Sequence, residues 1–305
     1  MACKAWCKNK ETQEKLALVT KVYDGFFQVK NFPTQEEVSE HYHNKYYQTN
    51  AGNYQQAYSA EEVEYHINFG KRFEAWVPED AVAEKKTMLD VGCGEGFCME
   101  HFRKVGYSVR GLDFSKDGME RHNKHLTQFT TFGDVYQLLD EMIDSGEKFS
   151  VIVLKHVLEH VLDPANLLQR LKRLVSPNGV VILLVPNDFS DLQMKLVEEQ
   201  KVTPFWIAPP EHLSYWNHDG LNRFLNENCW NVVNYTGDYP IDFDLMVKHT
   251  NYNQNPNVGK FSHLRRVRVT NLLCNKSPKE CNEYYKSLLQ MGLGRELIYY
   301  IRPQL

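Results

Sequence analysis

From residue 87 onward the chain alternates short apolar runs with amphipathic stretches, the pattern of parallel strands joined by crossover helices. Strands are expected at residues 87–91, 108–112, 130–132, 150–154 and 179–185, each apolar enough for burial on both faces. Asp163 in a capping position and Pro164 in the first turn open a helix that runs to about Val175. Ser176-Pro177-Asn178-Gly179 then reads as a turn into the next strand. Farther on, residues 219–228 read as a helix, 230–235 as a strand, and 295–301 as a last strand that can close the sheet antiparallel. The stretch between those two strands is too long for a plain loop, so it is expected to hold helices lining a substrate side.

Ahead of the core, residues 11 to about 80 are helix-like and rich in tyrosine, including Tyr42, Tyr46, Tyr47, Tyr54 and Tyr58. The expected organisation is an N-terminal helical cap over residues 1–83, an α/β core over 84–240, and a substrate-side insertion with the last core strand over 241–305. Those tyrosines either close over a ligand of the core or form a helical core stripe.

Composition narrows the class without changing the fold. The formal net charge is −4, with acidic and basic residues interleaved, so no broad field favours nucleic-acid phosphates or an anionic membrane. No run of apolar residues has the length of a membrane span, and the start of the chain lacks a long apolar leader. A cytoplasmic protein with a small-molecule or glycan partner is expected; the sequence leaves the oligomeric state open. The seven cysteines lack paired metal-site or disulfide spacing and read as reduced thiols.

The chemistry begins at Met88-Leu89-Asp90-Val91-Gly92-Cys93-Gly94-Glu95-Gly96-Phe97, an apolar strand ending in a glycine-rich turn that leads into a helix. Backbone must pass close to a ligand there. In a dinucleotide-binding fingerprint a third glycine would stand where this chain has Phe97. Asp90, ahead of the turn, would repel a pyrophosphate but suits a ligand carrying an ammonium and a sulfonium, which favours S-adenosylmethionine over NAD. Asp113 closes the next strand at the spacing of a ribose ligand. Asp134 and Val135 follow the third strand, where a carboxylate can accept from the adenine amine and an apolar side chain can cover the ring. The bland alternative for each of these carboxylates is a solvated helix cap.

With these residues the chain resembles the class I S-adenosylmethionine-dependent methyltransferases over roughly residues 84–237. The resemblance continues through Lys155-His156-Val157-Leu158-Glu159-His160 and Val175-Ser176-Pro177-Asn178-Gly179. It implies a doubly wound, mostly parallel seven-stranded α/β sheet and methyl transfer from S-adenosylmethionine. The cofactor-binding set is Asp90, Gly92, Cys93, Gly94, Asp113, Phe114, Asp134, Val135 and Lys155.

Methyl transfer needs acceptor and sulfonium in line, and an oxygen nucleophile gains from a base. His156, at the mouth of the fourth strand, is the best-placed base; His212, Glu159 and Tyr215 are further catalytic candidates, with ordinary loop packing or structural hydrogen bonds as the alternative for each. No metal is assigned, although His156, Glu159, His160 and His212 together resemble the magnesium site of small-RNA 2′-O-methyltransferases, also suggested for quinone-type enzymes. Imidazole in place of the first carboxylate shifts that preference towards a softer divalent ion. His263-Leu264-Arg265-Arg266-Val267-Arg268 is the one basic cluster, either an anion site or a solvated helix face. The C-terminal part is similar to methyltransferases of surface-polysaccharide modification, which implies O-methylation of a glycan or other small hydroxylated acceptor. An aromatic or quinone-like hydroxyl is the alternative, and a cofactor-binding partner subunit without turnover is the reading of another class.

Overall fold

The computed structural model describes residues 9–23, 25–34, 36–38, 40 and 57–304. Cys3, Cys7, Tyr42, Tyr46, Tyr47 and Tyr54 lie outside the described residues. Among the described residues no helix is long and apolar enough to cross a membrane.

In chain order the elements are α1 (Lys10–Ala17), β1 (Val19–Tyr23), β2 (Phe26–Val29), α2 (Ala60–Glu74), β3 (Thr87–Val91), α3 (Phe97–Lys104), β4 (Ser108–Asp113), α4 (Asp117–His122), β5 (Thr130–Phe132) and α5 (Val135–Asp144). They continue with β6 (Phe149–Lys155), α6 (Pro164–Leu174), β7 (Val175–Pro186), α7 (Asp191–Glu198), β8 (Ser214–Trp216), α8 (His218–Glu227), β9 (Trp230–Thr236), α9 (Gly259–Lys276), α10 (Pro278–Gln290) and β10 (Glu296–Pro303). A seven-stranded sheet runs β5-β4-β3-β6-β7-β10-β9. β3, β4, β5, β6 and β7 pair in parallel, while β10 is antiparallel to both of its neighbours. This is the doubly wound, mostly parallel sheet that the alternation of runs predicts.

Period-2 alternation explains the burial on both faces. Val181, Leu183 and Val185 of β7 join Leu89, Val91, Ile152 and Leu154 against α5, α6 and α8. Val180, Ile182 and Leu184 join Met88, Val151 and Val153 on the other face with Phe69 and Phe73 of α2 and Phe102 of α3. The Asp163 side chain caps α6 by accepting from the Asn166 backbone N–H at 2.9 Å, with Pro164 in the first turn.

Two expectations are corrected. The Ser176–Gly179 turn belongs to β7 itself; it is accommodated as an irregularity, since Phe149 pairs with Val175 but Val151 already pairs with Val180. The N-terminal region is not wholly helical either. β1 and β2 form a hairpin, and β2 pairs antiparallel with β8 in a separate three-stranded sheet. Phe26 stacks on Trp216 within this sheet, ring centroids 4.1 Å apart, and both rings pack on Phe224 of α8, which ties the sheet to the core. As expected, the long C-terminal stretch holds two helices, α9 and α10, and α9 packs on α2.

Candidate active site

The C-terminal ends of β3, β4, β6 and β7 open into one cavity of about 690 Å³, lined at one end by Asp90, Gly92, Asp113 and Asp134 and at the other by His156, Glu159, His160 and His212. Ligands of open α/β sheets bind at this edge.

At the first end the chain reverses sharply after β3. Gly92, Gly94 and Gly96 all have positive φ, and the N–H groups of Gly92 and Cys93 both donate to the Leu112 carbonyl, at 2.8 and 3.0 Å. A Cβ on Gly92 would overlap Val157 Cγ2. A Gly92→Ala variant is therefore expected to lose about 1–3 kcal/mol of stability, from left-handed strain plus overpacking; thermal or denaturant unfolding checks this.

Asp113, at the end of β4, accepts the Gly94 N–H on Oδ2 at 2.7 Å and the Ser115 N–H on Oδ1 at 2.9 Å. Those two bonds fix the carboxyl plane at the cavity wall. Burial pushes its carboxyl above the usual range, and the backbone N–H groups of Ser115 and Gly94 draw it back. Asp134 caps α5 by accepting the Gln137 N–H at 2.9 Å and is exposed, so the cap and the cavity wall are one and the same position. Val135 and the exposed ring of Phe114 line the cavity beside it, and the buried Cys93 lines it under the glycine-rich turn. Lys155 ends β6 with its Nζ 5.2 Å from the Phe69 ring centroid.

Asp90 is 2% exposed. Burial pushes its carboxyl up to about 7, with Lys155 pulling it down and Asp113 pushing it up. A cationic ligand beside it would favour the ionised form. Binding of an ammonium-bearing cofactor is thus expected to release a proton below about pH 7, and to tighten as pH rises towards that value and level off above it. Calorimetry in buffers of different ionisation enthalpy reads that proton, and Asp90→Asn should abolish it.

At the other end, His156 follows β6 in the left-handed region with φ 55. Its Nδ1 lies 3.2 Å from Glu159 Oε1 and its Nε2 3.2 Å from Glu296 Oε1. Burial alone would lower its pKa, but the Glu296 charge and the Glu159 hydrogen bond lift it to about 9. An imidazole that donates from both nitrogens is an imidazolium. With a carboxylate at each nitrogen, His156 is placed to carry charge and to orient Glu159. Glu159 is buried, and its pKa is held below the usual value by His156 against the opposing effect of burial.

His160 Nδ1 donates to the Glu211 carbonyl at 2.6 Å, which turns its Nε2 towards Glu159 Oε1 at 3.8 Å. The His212 ring stands edge-on to His160, with centroids 4.8 Å apart. Burial and the neighbouring His160 lower the His212 pKa to about 4, so the ring is neutral at neutral pH. One ligand atom each from Glu159, His160 and His212 lie within 4.8 Å of one another. Glu159 Oε2 and His212 Nδ1 are buried without a hydrogen-bond partner. Two imidazoles and a carboxylate fit a divalent transition metal better than magnesium. His156 is outside this group, because its nitrogens are already engaged by two carboxylates.

Tyr215 does not reach the cavity. It is fully buried, donates to the His212 carbonyl at 2.7 Å and accepts from the Ala208 N–H at 3.3 Å. It braces the loop that carries His212 from within the core. Tyr58 donates to Glu95 Oε1 at 2.7 Å in the glycine-rich turn. The basic cluster divides: Arg265 pairs with Asp244 and Arg268 with Glu61, while Arg266 lines the cavity. Arg295 and Glu296 join it at the start of β10. Nothing local in the sequence marks Glu296, since only the antiparallel β10–β7 pairing brings it to His156.

A family model described as a methyltransferase domain matches residues 69–235, just over half of the chain. The chain is 34% identical over 114 residues to a ubiquinone biosynthesis O-methyltransferase of Pseudomonas paraeruginosa, a match covering 37% of this chain and 49% of the relative. Another protein of that name, from Bradyrhizobium diazoefficiens, is 27% identical over 155 residues, covering 49% of this chain and 60% of its own length. The chain thus spans about half the length of the curated relatives it matches. Among solved structures, a SAM-dependent methyltransferase from Archaeoglobus fulgidus covers 78% of this chain and 94% of its own, with 17% identity and a TM-score of 0.46.

Proposed function

The chain belongs to the methyltransferase domain family and is an S-adenosylmethionine-dependent methyltransferase, and from that premise we propose that it methylates an aromatic or quinone-like hydroxyl. The observation that carries this reading is the Glu159–His160–His212 cluster, in which Glu159 Oε2 and His212 Nδ1 are buried without a partner, in the same cavity as the Asp90–Asp113 cofactor end. The relatives' name, O-methyltransferase of ubiquinone biosynthesis, supports the same acceptor class, and a glycan acceptor has no such support.

When bound, S-adenosylmethionine supplies an electrophilic methyl on a sulfonium. Asp113, with both oxygens fixed by backbone N–H groups, accepts the ribose hydroxyls. Asp134 and Val135 receive the adenine, and Asp90 faces the cationic amino-acid end. The His212 Nδ1 lone pair accepts a hydrogen bond from the acceptor hydroxyl. A weak base suffices there, because the hydroxyl proton becomes strongly acidic as the carbon–oxygen bond forms. A divalent ion held by Glu159, His160 and His212 would take the one lone pair that the neutral His212 ring offers, and with the ion bound its Lewis-acid polarisation, in place of the hydrogen bond to His212, would lower the pKa of that hydroxyl. His156, clamped by Glu159 and Glu296, holds the Glu159 carboxylate in place.

The test is S-adenosylhomocysteine release with catechols, hydroquinones and free sugars as acceptors, with and without chelation and with manganese, zinc or magnesium restored. Turnover is expected on catechols, to fall by about tenfold or more on chelation and to return with a transition metal. Turnover on sugars with none on catechols would overturn the acceptor class.

A further inference from the structure

We infer that Arg266 is a specificity residue, selecting acceptors that carry a carboxylate away from the hydroxyl to be methylated; the inference rests on the aromatic-acceptor reading above. Three arginines stand close together on α9. Arg265 pairs with Asp244, and Arg268 with Glu61 at 3.1 Å. Arg266 enters no ion pair among the described residues, although it alone of the three lines the cavity.

Its Nη2 meets His263 Nδ1 at 2.9 Å and its guanidinium lies 5.5 Å from the Tyr65 ring centroid. Its Nε is buried with no hydrogen-bond partner. An unmet donor on a guanidinium is expensive to bury, so it marks a place where something else accepts.

The nearby acids do not fill it. Glu296 gives Oε1 to His156 at 3.2 Å. Asp238 gives Oδ1 to the N–H groups of Arg295 and Glu296, both at 2.9 Å. Arg295, the other arginine on this wall, already holds Asp188 at 2.9 Å. Glu296 Oε2 and Asp238 Oδ2 are themselves buried without a partner, yet among the described residues no carboxylate comes within ion-pair distance of Arg266, so its Nε is left for an acceptor that the cavity brings in, and a guanidinium receives a carboxylate best.

Protocatechuate and its primary amide differ only in that charge. Both are titrated calorimetrically into protein saturated with S-adenosylhomocysteine, for the wild type, Arg266→Gln and Arg266→Lys, and S-adenosylhomocysteine affinity is measured for all three. The wild type is expected to bind the carboxylate at least about tenfold more tightly than the amide. Arg266→Gln should lose that preference and Arg266→Lys should keep part of it. Absence of preference in the wild type, or failure of both compounds to bind, overturns the inference. So does a loss of S-adenosylhomocysteine affinity in Arg266→Gln with the acceptor preference intact, which would assign Arg266 to the cofactor's own carboxylate. Carboxylate-selective binding without methylation of either compound or of catechol would sink the acceptor class while leaving the selectivity of Arg266 in place.

Discussion

An Asp113→Ala variant is expected to bind S-adenosylhomocysteine at least about a hundredfold more weakly than the wild type. Hydrogen bonds to a charged group contribute about 1.5–3 kcal/mol each, and a ribose diol offers two. The same substitution orphans the N–H groups of Gly94 and Ser115, which Asp113 receives at 2.7 and 2.9 Å. The glycine-rich turn would then lose its anchor to β4. Asp113→Asn separates the two effects, because the amide oxygen can still accept one of those N–H groups while the charge is gone. Calorimetry on both variants, with a melting curve for each, shows whether weakened binding outlasts retained folding. Unchanged affinity in a folded Asp113→Ala protein would remove the ribose role.

Glu159→Gln and His212→Ala are each expected to lower kcat by about a hundredfold or more while leaving S-adenosylhomocysteine affinity near that of the wild type. Glu159 gives Oε1 to His156, and its Oε2 is buried without a partner. Replacing it by the neutral isostere removes the negative charge of the cluster and one of the two carboxylates that hold the imidazolium. His212 contributes the unpartnered Nδ1. Steady-state kinetics alongside calorimetry separates kcat from cofactor binding. Equal kcat in either variant would place the acceptor elsewhere in the cavity.

The core is legible in the sequence because parallel strands buried on both faces appear as unbroken apolar runs. The expected 87–91 matches β3, buried throughout; 130–132 matches β5, a partly exposed edge strand whose ends are nonetheless legible, and Asp163 with Pro164 marks the start of α6. Asp90, Asp113 and Asp134 can be found for a related reason: each stands immediately after, or at the end of, such a run, and the sheet edge gathers strand ends. What escapes depends on partners far along the chain. Phe26 and Phe27 look like helix positions in a tyrosine-rich segment until Trp216 and Tyr215 of β8 supply their partners across the small sheet. His156 reads as a base because its neighbour Glu159 is three residues away, whereas Glu296, which completes the clamp, arrives on β10. Tyr215 lies close to His212 in sequence but points into the core formed with Phe189 and Trp206. Arg266 resembles a solvated face because Arg265 and Arg268 beside it form ion pairs of their own.

The cofactor assignment is tested most directly by calorimetric titration of the wild-type protein with S-adenosylhomocysteine and, separately, with NAD. The cavity at the C-terminal edge of the sheet should bind S-adenosylhomocysteine at one site per chain and give no heat with NAD. No binding of the adenosyl ligand, or binding of NAD alone, would contradict it.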